Sequence, residues 1–235
     1  MDNALYLIPV TLGDTMLERV LPQWNAGIVS QLRHFVVEDV RSARRFLRRM
    51  DREFPIDDCQ FCEMGKHADE TLFGDYLRPL AEGQSVGLIS EAGCPAVADP
   101  GALLVSIAQR RGHRVIPLVG PNSMILAVMA SGLNGQSFAF NGYLPVDAAD
   151  RMKKLKTLES RAWNENQTQF FIETPFRNYK MFEALLQILR PQTRLCIAAG
   201  ITTDNEWIHT HTIQEWRRES LPDLSHTPAI FLINK

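Results

Sequence analysis

Two carboxylates and the small residues between them mark the first segment of this chain that could do chemistry. The segment 86–101 reads VGLISEAGCPAVADPG and carries Glu91 and Asp99. An apolar run ends at Ser90 and a helical pattern resumes at 102–110, so we predict a buried strand, a long loop and a helix. In α/β proteins such loops present ligand-binding groups at the carboxyl ends of strands. The alternative is an ordinary strand-to-helix connection, although this loop exceeds the ~2–6 residues usual for one.

Six arginines form a second candidate surface, because their spacing places them on one face of a helix. We call these residues the arginine stripe: Arg41, Arg44, Arg45, Arg48, Arg49 and Arg52. The apolar residues left for the buried side of that helix are Phe46, Leu47, Met50 and Phe54. Guanidinium groups in a row suit a phosphate backbone. An equally weighted alternative is a solvated face whose charges pair with nearby acids, namely Asp51, Glu53, Asp57 and Asp58.

Cysteines and histidines give weaker signals. Cys59 and Cys62 with His67 resemble half of a zinc site, but structural zinc usually takes four protein ligands, so we predict no metal. His209 and His211 alternate along a predicted strand. Both therefore face one side of that strand, and we expect surface or partner contacts for them.

Residues at strand ends remain as candidates for acid–base or nucleophilic chemistry. Glu173 closes an apolar strand; it can act as a base at a cleft, or pair with Arg177 at the start of a helix, which we favour. Ser90 lacks the G-x-S-x-G elbow of a nucleophilic serine. The two common glycine-rich phosphate-binding motifs are also missing from the sequence. We therefore expect a ligand that is held by backbone groups and small residues at strand ends.

Composition places the chain among ordinary globular proteins. It has 235 residues, of which 45% are hydrophobic and 22% charged, and a formal net charge of −2. This charge does not by itself indicate nucleic-acid binding. No apolar run is long enough to span a membrane, the N-terminus does not resemble a signal peptide, and four scattered cysteines do not indicate a disulfide framework. We expect a cytoplasmic protein.

The strands and helices that must position these residues follow one order before residue 120 and another after it. Up to residue 119, strands alternate with helices, which predicts a parallel doubly wound sheet. The strands expected there are 4–10, 34–38, 59–64, 86–89 and 114–119, and the helices are 16–24, the arginine helix, 68–81 and 102–110. From residue 120, closely spaced strands predict a mixed sheet. Its strands are expected at 137–143, 169–173, 194–199, 206–211 and 229–233, with helices at 124–131, 148–162, 179–189 and 214–217. The predicted fold class is α/β, with domains at 1–119 and 120–235.

Four segments, in this order, resemble the tetrapyrrole-methylase-like family of methyltransferases. They read GLISEAGCPAVADPG, RVIPLVGPNSMILAVMASGL, FAFNGYLP and FFIETPFRN. The resemblance covers about residues 4–233 and is strongest to the branch that methylates a ribose 2′-hydroxyl (of cytidine) in small-subunit ribosomal RNA. This chain departs from that branch at 199–203, where AGITT replaces a charged segment. Distant members of the family have an aspartate at the position of Cys94. The RNA branch, like this chain, lacks that aspartate.

The resemblance implies the tetrapyrrole methylase fold, S-adenosylmethionine as methyl donor in a cleft between two α/β domains, and a homodimer. By position it implies donor contacts at Pro9, Leu12, Gly93, Cys94, Val97, Ser123, Met124, Ile172, Ala198, Ala199, Thr227 and Pro228. A hydroxyl acceptor would need a base, for which Asp99, Glu173 and Glu38 are candidates in that order. With ribosomal RNA or the small ribosomal subunit as partner, the candidate RNA-binding residues are Arg41, Arg44, Arg45 and Arg48.

Three functions stay open on the sequence alone. The first is a methyltransferase that acts on RNA ribose. The second keeps the donor but has a tetrapyrrole or another small molecule as acceptor. The third is a non-catalytic binding protein on the same fold, which the departure at 199–203 motivates.

Overall fold

The structure is a computed structural model that describes residues 2–65, 70–99 and 101–235. His67 and the start of the helix expected at 68–81 lie outside the described residues, as does Pro100 of the long loop. The chain divides into two compact units, Met1–Asn122 and Ser123–Lys235. The sequence predicts a division after residue 119. Within the described residues, no helix is both long and apolar enough to cross a bilayer.

The first unit contains a sheet of five parallel strands. These are β1 (Leu5–Ile8), β2 (His34–Val37), β3 (Gln60–Glu63), β4 (Val86–Ile89) and β5 (Val115–Pro117). Their order is β3-β2-β4-β1-β5, and every neighbouring pair is parallel. This confirms the parallel sheet that the strand–helix alternation predicts.

Helices connect these strands and cover both faces of the sheet. They are α1 (Leu17–Val20), α2 (Gln23–Val29), α3 (Val40–Met50), α4 (Phe73–Tyr76), α5 (Arg78–Ala81) and α6 (Gly101–Arg110), with 3-10 turns at Ile56–Asp58 and Glu70–Leu72. Tyr6 packs on one face with Leu47 of α3, while Leu5 packs on the other with Phe73 of α4 and Leu104 of α6. Because successive strand residues point to opposite faces, the unbroken apolar runs of β1 and β4 fit a sheet buried on both sides.

The second unit contains a mixed sheet, as the sequence predicts. Its strands are β6 (Phe138–Tyr143), β7 (Thr168–Glu173), β8 (Arg194–Ala199), β9 (Trp207–Thr212) and β10 (Ala229–Asn234), in the order β6-β7-β10-β8-β9. Only the pair β6–β7 is parallel. The helices are α7 (Ser123–Ser131), α8 (Ala148–Glu165), α9 (Asn178–Ile188) and α10 (Ile213–Trp216), with a 3-10 turn at Pro175–Arg177.

The core of the second unit lies between one face of its sheet and α8, α9 and α10. Phe171, Ile197 and Phe231 from three strands pack there against Leu158 of α8 and Trp216 of α10. On β9 the side chain of Thr210, which alternates with those of His209 and His211, donates to the carbonyl of Ser131 at the end of α7. Helix α7 therefore lies on the other face of the sheet.

Proline interrupts two helices that the sequence predicts as continuous. The stretch 16–24 forms α1 and α2, separated at Leu21 and Pro22. The described part of 68–81 breaks at Leu77, two residues before Pro79. A proline inside a helix lacks the amide donor and its ring clashes with the carbonyl four residues earlier, so both predictions of an unbroken helix are wrong.

Helix α3 ends earlier than the spacing of the arginine stripe predicts. Its last residue is Met50, and Asp51 has extended backbone angles and accepts a hydrogen bond from the amide of Glu53. Aspartate often closes a local turn in this way in place of continuing a helix. Arg52 and Phe54 therefore lie outside the helix, although Phe54 is buried as expected.

Candidate active site

The loops after β1 and β4 lie at the point where the strand order of the first sheet reverses. The chain leaves β1 towards β2 on one side and leaves β4 towards β5 on the other, while β1 and β4 are neighbours. Ligands of open α/β sheets bind at the carboxyl ends of strands at such a switch point. The predicted donor contacts Pro9, Leu12, Gly93, Cys94 and Val97 all lie in these two loops.

Direct contacts hold these loops and the end of β5 together. The amide of Val10 donates to the carbonyl of Gly93 at 3.0 Å. The thiol of Cys94 contacts the carbonyl of Pro121 at 3.4 Å. A side chain on Gly120 would collide with the ring of Pro9. Small residues at these strand ends therefore lie close together within this unit.

The loop after β4 has an unusual backbone. Gly93, Ala96 and Ala98 all have positive φ, of 70°, 65° and 62°. A left-handed conformation costs an L-residue such as alanine about 1–2 kcal/mol, so the two alanines are strained. Strained backbone of this kind persists where the surroundings impose it and clusters at ligand-binding sites.

One oxygen of Asp99 shapes this loop and the other is buried near Ser90. Oδ1 accepts from the amides of Ala96 at 2.7 Å and Gly101 at 2.8 Å. Oδ2 and the Ser90 hydroxyl are both buried, and neither forms a hydrogen bond of standard geometry among the described residues. Burial raises the pKa of Asp99, which hydrogen bonding from the amides of Gly101 and Ala96 and from the side chain of Ser90 opposes. Asp99 thus combines a fixed orientation with a buried oxygen near Ser90 and a raised pKa.

Two further carboxylates lie near Asp99. Burial is the main cause that raises the pKa of Glu38, at the end of β2, and the charge of Asp99 adds to it. The amide of Glu91 lowers the pKa of Glu38, whereas the carboxylate of Glu91 raises it. Glu38, Glu91 and Asp99 therefore form an acidic patch at the carboxyl end of the parallel sheet.

Five of the seven predicted donor contacts in the second unit converge at one end of its sheet. Ile172 and Ala198 both pair with Ile230 of the strand between them, so the three form one cross-strand row. Ala199 follows Ala198, and its neighbour Gly200 donates an amide hydrogen bond to the carbonyl of Pro228 at 3.2 Å. Thr227 and Pro228 lead into β10 at the same end. Ser123 and Met124 begin α7.

One oxygen of the Glu173 carboxylate is engaged by its neighbours in sequence. Its Oε1 accepts from the amide and hydroxyl of Thr174 and from the guanidinium of Arg177, which it meets at 2.6 Å. Glu173 is buried, whereas Arg177 is about one quarter exposed. This is the pairing that the structural alternative predicts, and the catalytic role of Glu173 stays a prediction.

The arginine stripe presents unpaired charge at the surface. Arg41, Arg44, Arg45 and Arg48 are exposed, and among described residues none of them forms an ion pair with a carboxylate. Arg49 alone does so, with Asp14 at 4.0 Å. The pairing of the stripe with Asp51, Glu53, Asp57 and Asp58, which the alternative interpretation predicts, is not formed among the described residues, and Asp51 instead accepts from the amide of Glu53.

The candidate metal ligands do not form a site in the part of the chain that the structure describes. No group of three or more histidine, cysteine or acidic side chains there could hold a metal ion, and all four cysteines are free. His209 and His211 share one face of β9, as predicted. They stack in a row between Trp207, at 4.5 Å from His209, and Trp216, at 4.8 Å from His211. Aromatic packing accounts for both histidines.

The sequence does not predict the roles of two kinds of residue at these sites. The strained alanines 96 and 98 carry no signal, because alanine is not expected at positive φ. Asn178 is buried and donates to the carbonyls of Leu224 and Thr227, which fixes the loop before β10. Asn178 belongs to the ETPFRN segment, one of the motifs that the sequence singles out, but only the fold shows which loop it holds.

No family model matches the chain. Curated proteins do match it over most of its length. A ribosomal RNA small subunit methyltransferase I of Mesorhizobium japonicum is 37% identical over 220 residues, which are 91% of this chain and 69% of that protein. One of Halalkalibacterium halodurans is 30% identical over 93% of this chain and 72% of that protein. One of Escherichia coli O157:H7 is 29% identical over 93% and 74%.

Solved structures show the same fold at low sequence identity. The methyltransferase CobJ matches 99% of this chain and 94% of its own, with a TM-score of 0.63 and 16% identity. The cobalt precorrin-4 methyltransferase CbiF matches 99% and 95%, with a TM-score of 0.59 and 14% identity. These matches confirm the tetrapyrrole methylase fold that the sequence motifs imply.

Proposed function

Since this chain belongs to the family of ribosomal RNA small subunit methyltransferase I, we propose that it transfers a methyl group from S-adenosylmethionine to a ribose 2′-hydroxyl of small-subunit ribosomal RNA. The observation that carries this proposal is the 37% identity over 91% of the chain. The fold alone does not separate RNA from tetrapyrrole acceptors, because the similar solved structures include tetrapyrrole enzymes at 14–17% identity.

The close approach of the loops in the first unit supports the proposed donor site. A Cβ on Gly93 would lie 3.0 Å from Leu12 and 3.2 Å from the carbonyl of Pro121, so a side chain there would crowd both loops. When bound, S-adenosylmethionine supplies an electrophilic methyl group on a positively charged sulfur. The residues proposed to hold it are Pro9, Leu12, Gly93, Cys94, Val97, Ser123, Met124, Ile172, Ala198, Ala199, Thr227 and Pro228.

Asp99 is the better placed of the two proposed catalytic carboxylates. Its buried Oδ2 would accept the proton of an acceptor hydroxyl that reaches it, while Oδ1 keeps the loop in place. The hydroxyl oxygen would then form the bond to the methyl carbon as the carbon–sulfur bond breaks and leaves its electron pair on sulfur, and the proton would stay on Asp99. The ion pair of Glu173 with Arg177 suits a role in positioning the turn after β7 instead.

The direct test is methyl transfer with purified components. The protein is incubated with S-adenosylmethionine labelled in its methyl group and with small ribosomal subunits from a strain that lacks the corresponding gene. We expect label in the RNA, and mass spectrometry of the digested RNA should find one 2′-O-methylated nucleoside. Label on a base, or no label although the donor binds in calorimetry, would contradict the proposal. Turnover of the donor with tetrapyrroles only would favour the second candidate function.

A homodimer and a place in ribosomal RNA processing belong to the same proposal. Light scattering of the purified protein should give twice the mass of one chain, which is 26.6 kDa. A monomeric protein that is active would contradict the dimer but leave the methyl transfer intact.

A further inference from the structure

Two neighbouring hollows lie along α3 in the first unit. The outer one, of about 640 Å³, is lined by Arg41, Arg44, Arg45, Arg48, Asp39, Val40, Ile56, Asp57 and Glu63. The inner one, of about 480 Å³, is lined by residues 10–14 of the loop after β1, by Ser90 and Glu91, and by Ser42, Ala43, Arg45, Phe46, Arg49 and Ile89. Arg45 is common to both. Each volume is in the range of ligand pockets, about 300–1,000 Å³.

Positive charge is in slight excess in the outer hollow, where four guanidinium groups face three carboxylates. None of these carboxylates forms an ion pair with the stripe among the described residues; Asp39 accepts from the amide of Ser42 at 2.7 Å and Glu63 from that of Val40 at 3.3 Å. Arg48 donates one hydrogen bond, to the carbonyl of Arg52, and keeps its remaining donors. A merely solvated face would pair its charges or point them into open water, whereas these guanidiniums surround a concave surface.

Arg44 is held in a way that suits an aromatic ligand. Its guanidinium lies over the ring of Phe61 at 5.2 Å, and Phe61 is in turn stacked on the buried Phe35 at 5.4 Å. This stack restrains a side chain that is otherwise flexible. Because Arg44 is exposed, its guanidinium is accessible to a ligand from solvent. Proteins that recognise unpaired RNA stack its bases on arginine planes in this manner.

We infer that the outer hollow binds one unpaired nucleotide of a single-stranded RNA segment, with its base on Arg44 and the flanking phosphates on Arg41, Arg45 and Arg48. The inference rests on the proposed function and deepens it. Since Arg45 also lines the inner hollow, a strand bound here runs along α3 towards the loops after β1 and β4. A duplex would not fill the hollow, because its bases are stacked inside the helix.

The first test measures binding of a fluorescein-labelled ten-nucleotide oligoribonucleotide by anisotropy over a range of NaCl concentrations. We compare the wild type with the triple variant Arg41→Gln, Arg44→Gln, Arg48→Gln. Each lost phosphate contact reduces the slope of log K against log [NaCl] by about 0.7 for single strands. Phosphate contacts of Arg41 and Arg48 should therefore reduce it by about 1.4, and we expect at least tenfold weaker binding at low salt.

The matched control is a variant that loses three positive charges from exposed arginines outside the stripe. Arg110, Arg161 and Arg218 are exposed, and their replacement by glutamine also lowers the net charge by three. We expect little change in slope for this variant. An equal loss in the control, or no loss in the stripe variant, would overturn the inference.

The second test separates the base contact from the charge. Arg44→Lys keeps the charge but loses the planar group, so it should bind the oligonucleotide several-fold more weakly with the same salt slope. It should bind a ten-unit chain of abasic ribose phosphates as well as the wild type does. Stacking contributes about 1–3 kcal/mol per base, so the wild type should bind the abasic chain at least fivefold more weakly. Equal affinity for the duplex and the single strand would contradict the unpaired nucleotide.

Failure of this RNA-binding site can be distinguished from failure of the proposed methyl transfer. If the wild type binds the oligonucleotide as described but transfers no methyl group to small ribosomal subunits, the proposed function fails and the binding site stands. If the wild type transfers methyl groups and the triple variant has an unchanged KM for the subunits, the binding site fails and the function stands. Donor affinity of the triple variant, measured by calorimetry, should equal that of the wild type.

Discussion

Asp99 and Glu173 are both carboxylates that follow buried strands, yet their surroundings differ in one decisive respect. The loop around Asp99 uses one carboxylate oxygen to accept two amide hydrogen bonds, and the other is buried with no cationic partner among the described residues. At Glu173 the side chain has an arginine partner that neutralises it at 2.6 Å. A carboxylate that balances a charge is expected to contribute to stability, whereas one with a desolvated oxygen and no cationic partner is suited to take a proton.

The largest expected effect is on methyl transfer by Asp99→Asn. The amide retains Oδ1 for the two loop amides but cannot accept a proton, so single-turnover transfer should fall by about 10²–10⁴-fold. Stability should be unchanged or higher at neutral pH, because the variant no longer buries a charge. Denaturant unfolding measures this. Transfer within threefold of the wild type would show that Asp99 only shapes its loop.

The pH dependence of the transfer rate and of stability tests the same role of Asp99. Since burial raises the pKa of Asp99, the transfer rate should rise with pH through a midpoint above the ordinary aspartate value, and Asp99→Asn should lack this limb. The folded state binds the proton of Asp99 more tightly than the unfolded state does. Its contribution to stability is therefore fully present below the unfolded pKa and is lost as pH rises through the folded pKa. The difference in unfolding free energy between variant and wild type should grow over that window.

Glu173→Gln should show the opposite pattern. Arg177 would lose its charged partner, so we expect a loss of about 1–3 kcal/mol in unfolding free energy. At a temperature where the variant is folded, transfer should stay within about threefold of the wild type. Glu183→Gln, on the exposed side of α9, is the matched control and should change stability by less than about 0.5 kcal/mol. A stable but inactive Glu173→Gln would reverse the assignment of the two carboxylates.

The smallest expected effect concerns the strain in the loop of Asp99. Ala96→Gly relieves a left-handed alanine and should stabilise the protein by up to about 1 kcal/mol, even though glycine is more flexible in the unfolded chain. Ala130→Gly in α7, at an ordinary exposed helical position, should destabilise it by about 0.5–1 kcal/mol. Thermal unfolding of both variants measures the difference. Destabilisation of equal size in both would show that Ala96 carries no strain.

Much of the fold could be predicted because hydrophobic periodicity follows burial. The strands Val86–Ile89 and Arg194–Ala199 have the expected bounds, since both are buried runs that end at turn-forming or small residues. Errors occurred where a local interaction competed with that pattern. Pro22 and Pro79 broke helices whose apolar spacing continued, and a turn at Asp51 ended α3 before Arg52.

The candidate site was predictable in part. The sequence predicted a site built from small residues at strand ends, and the structure shows Gly93 against Leu12 and Gly120 against Pro9. The sequence could not separate the two interpretations of the arginine stripe or of Glu173, because each depends on which side chains come within hydrogen-bond distance. It also gave no sign that Arg44 lies on Phe61, which is 17 positions away.

The amino-acid order alone determined the alternation of strands and helices, the two kinds of sheet and the family to which the chain belongs, because these depend on local periodicity and on motifs. The tertiary structure decided which charges are neutralised and which are free. It placed a guanidinium beside Glu173 and none beside Asp99 among the described residues. Electrostatic pairing acts over a few ångströms between residues that can be distant in sequence, so only the folded chain fixes it.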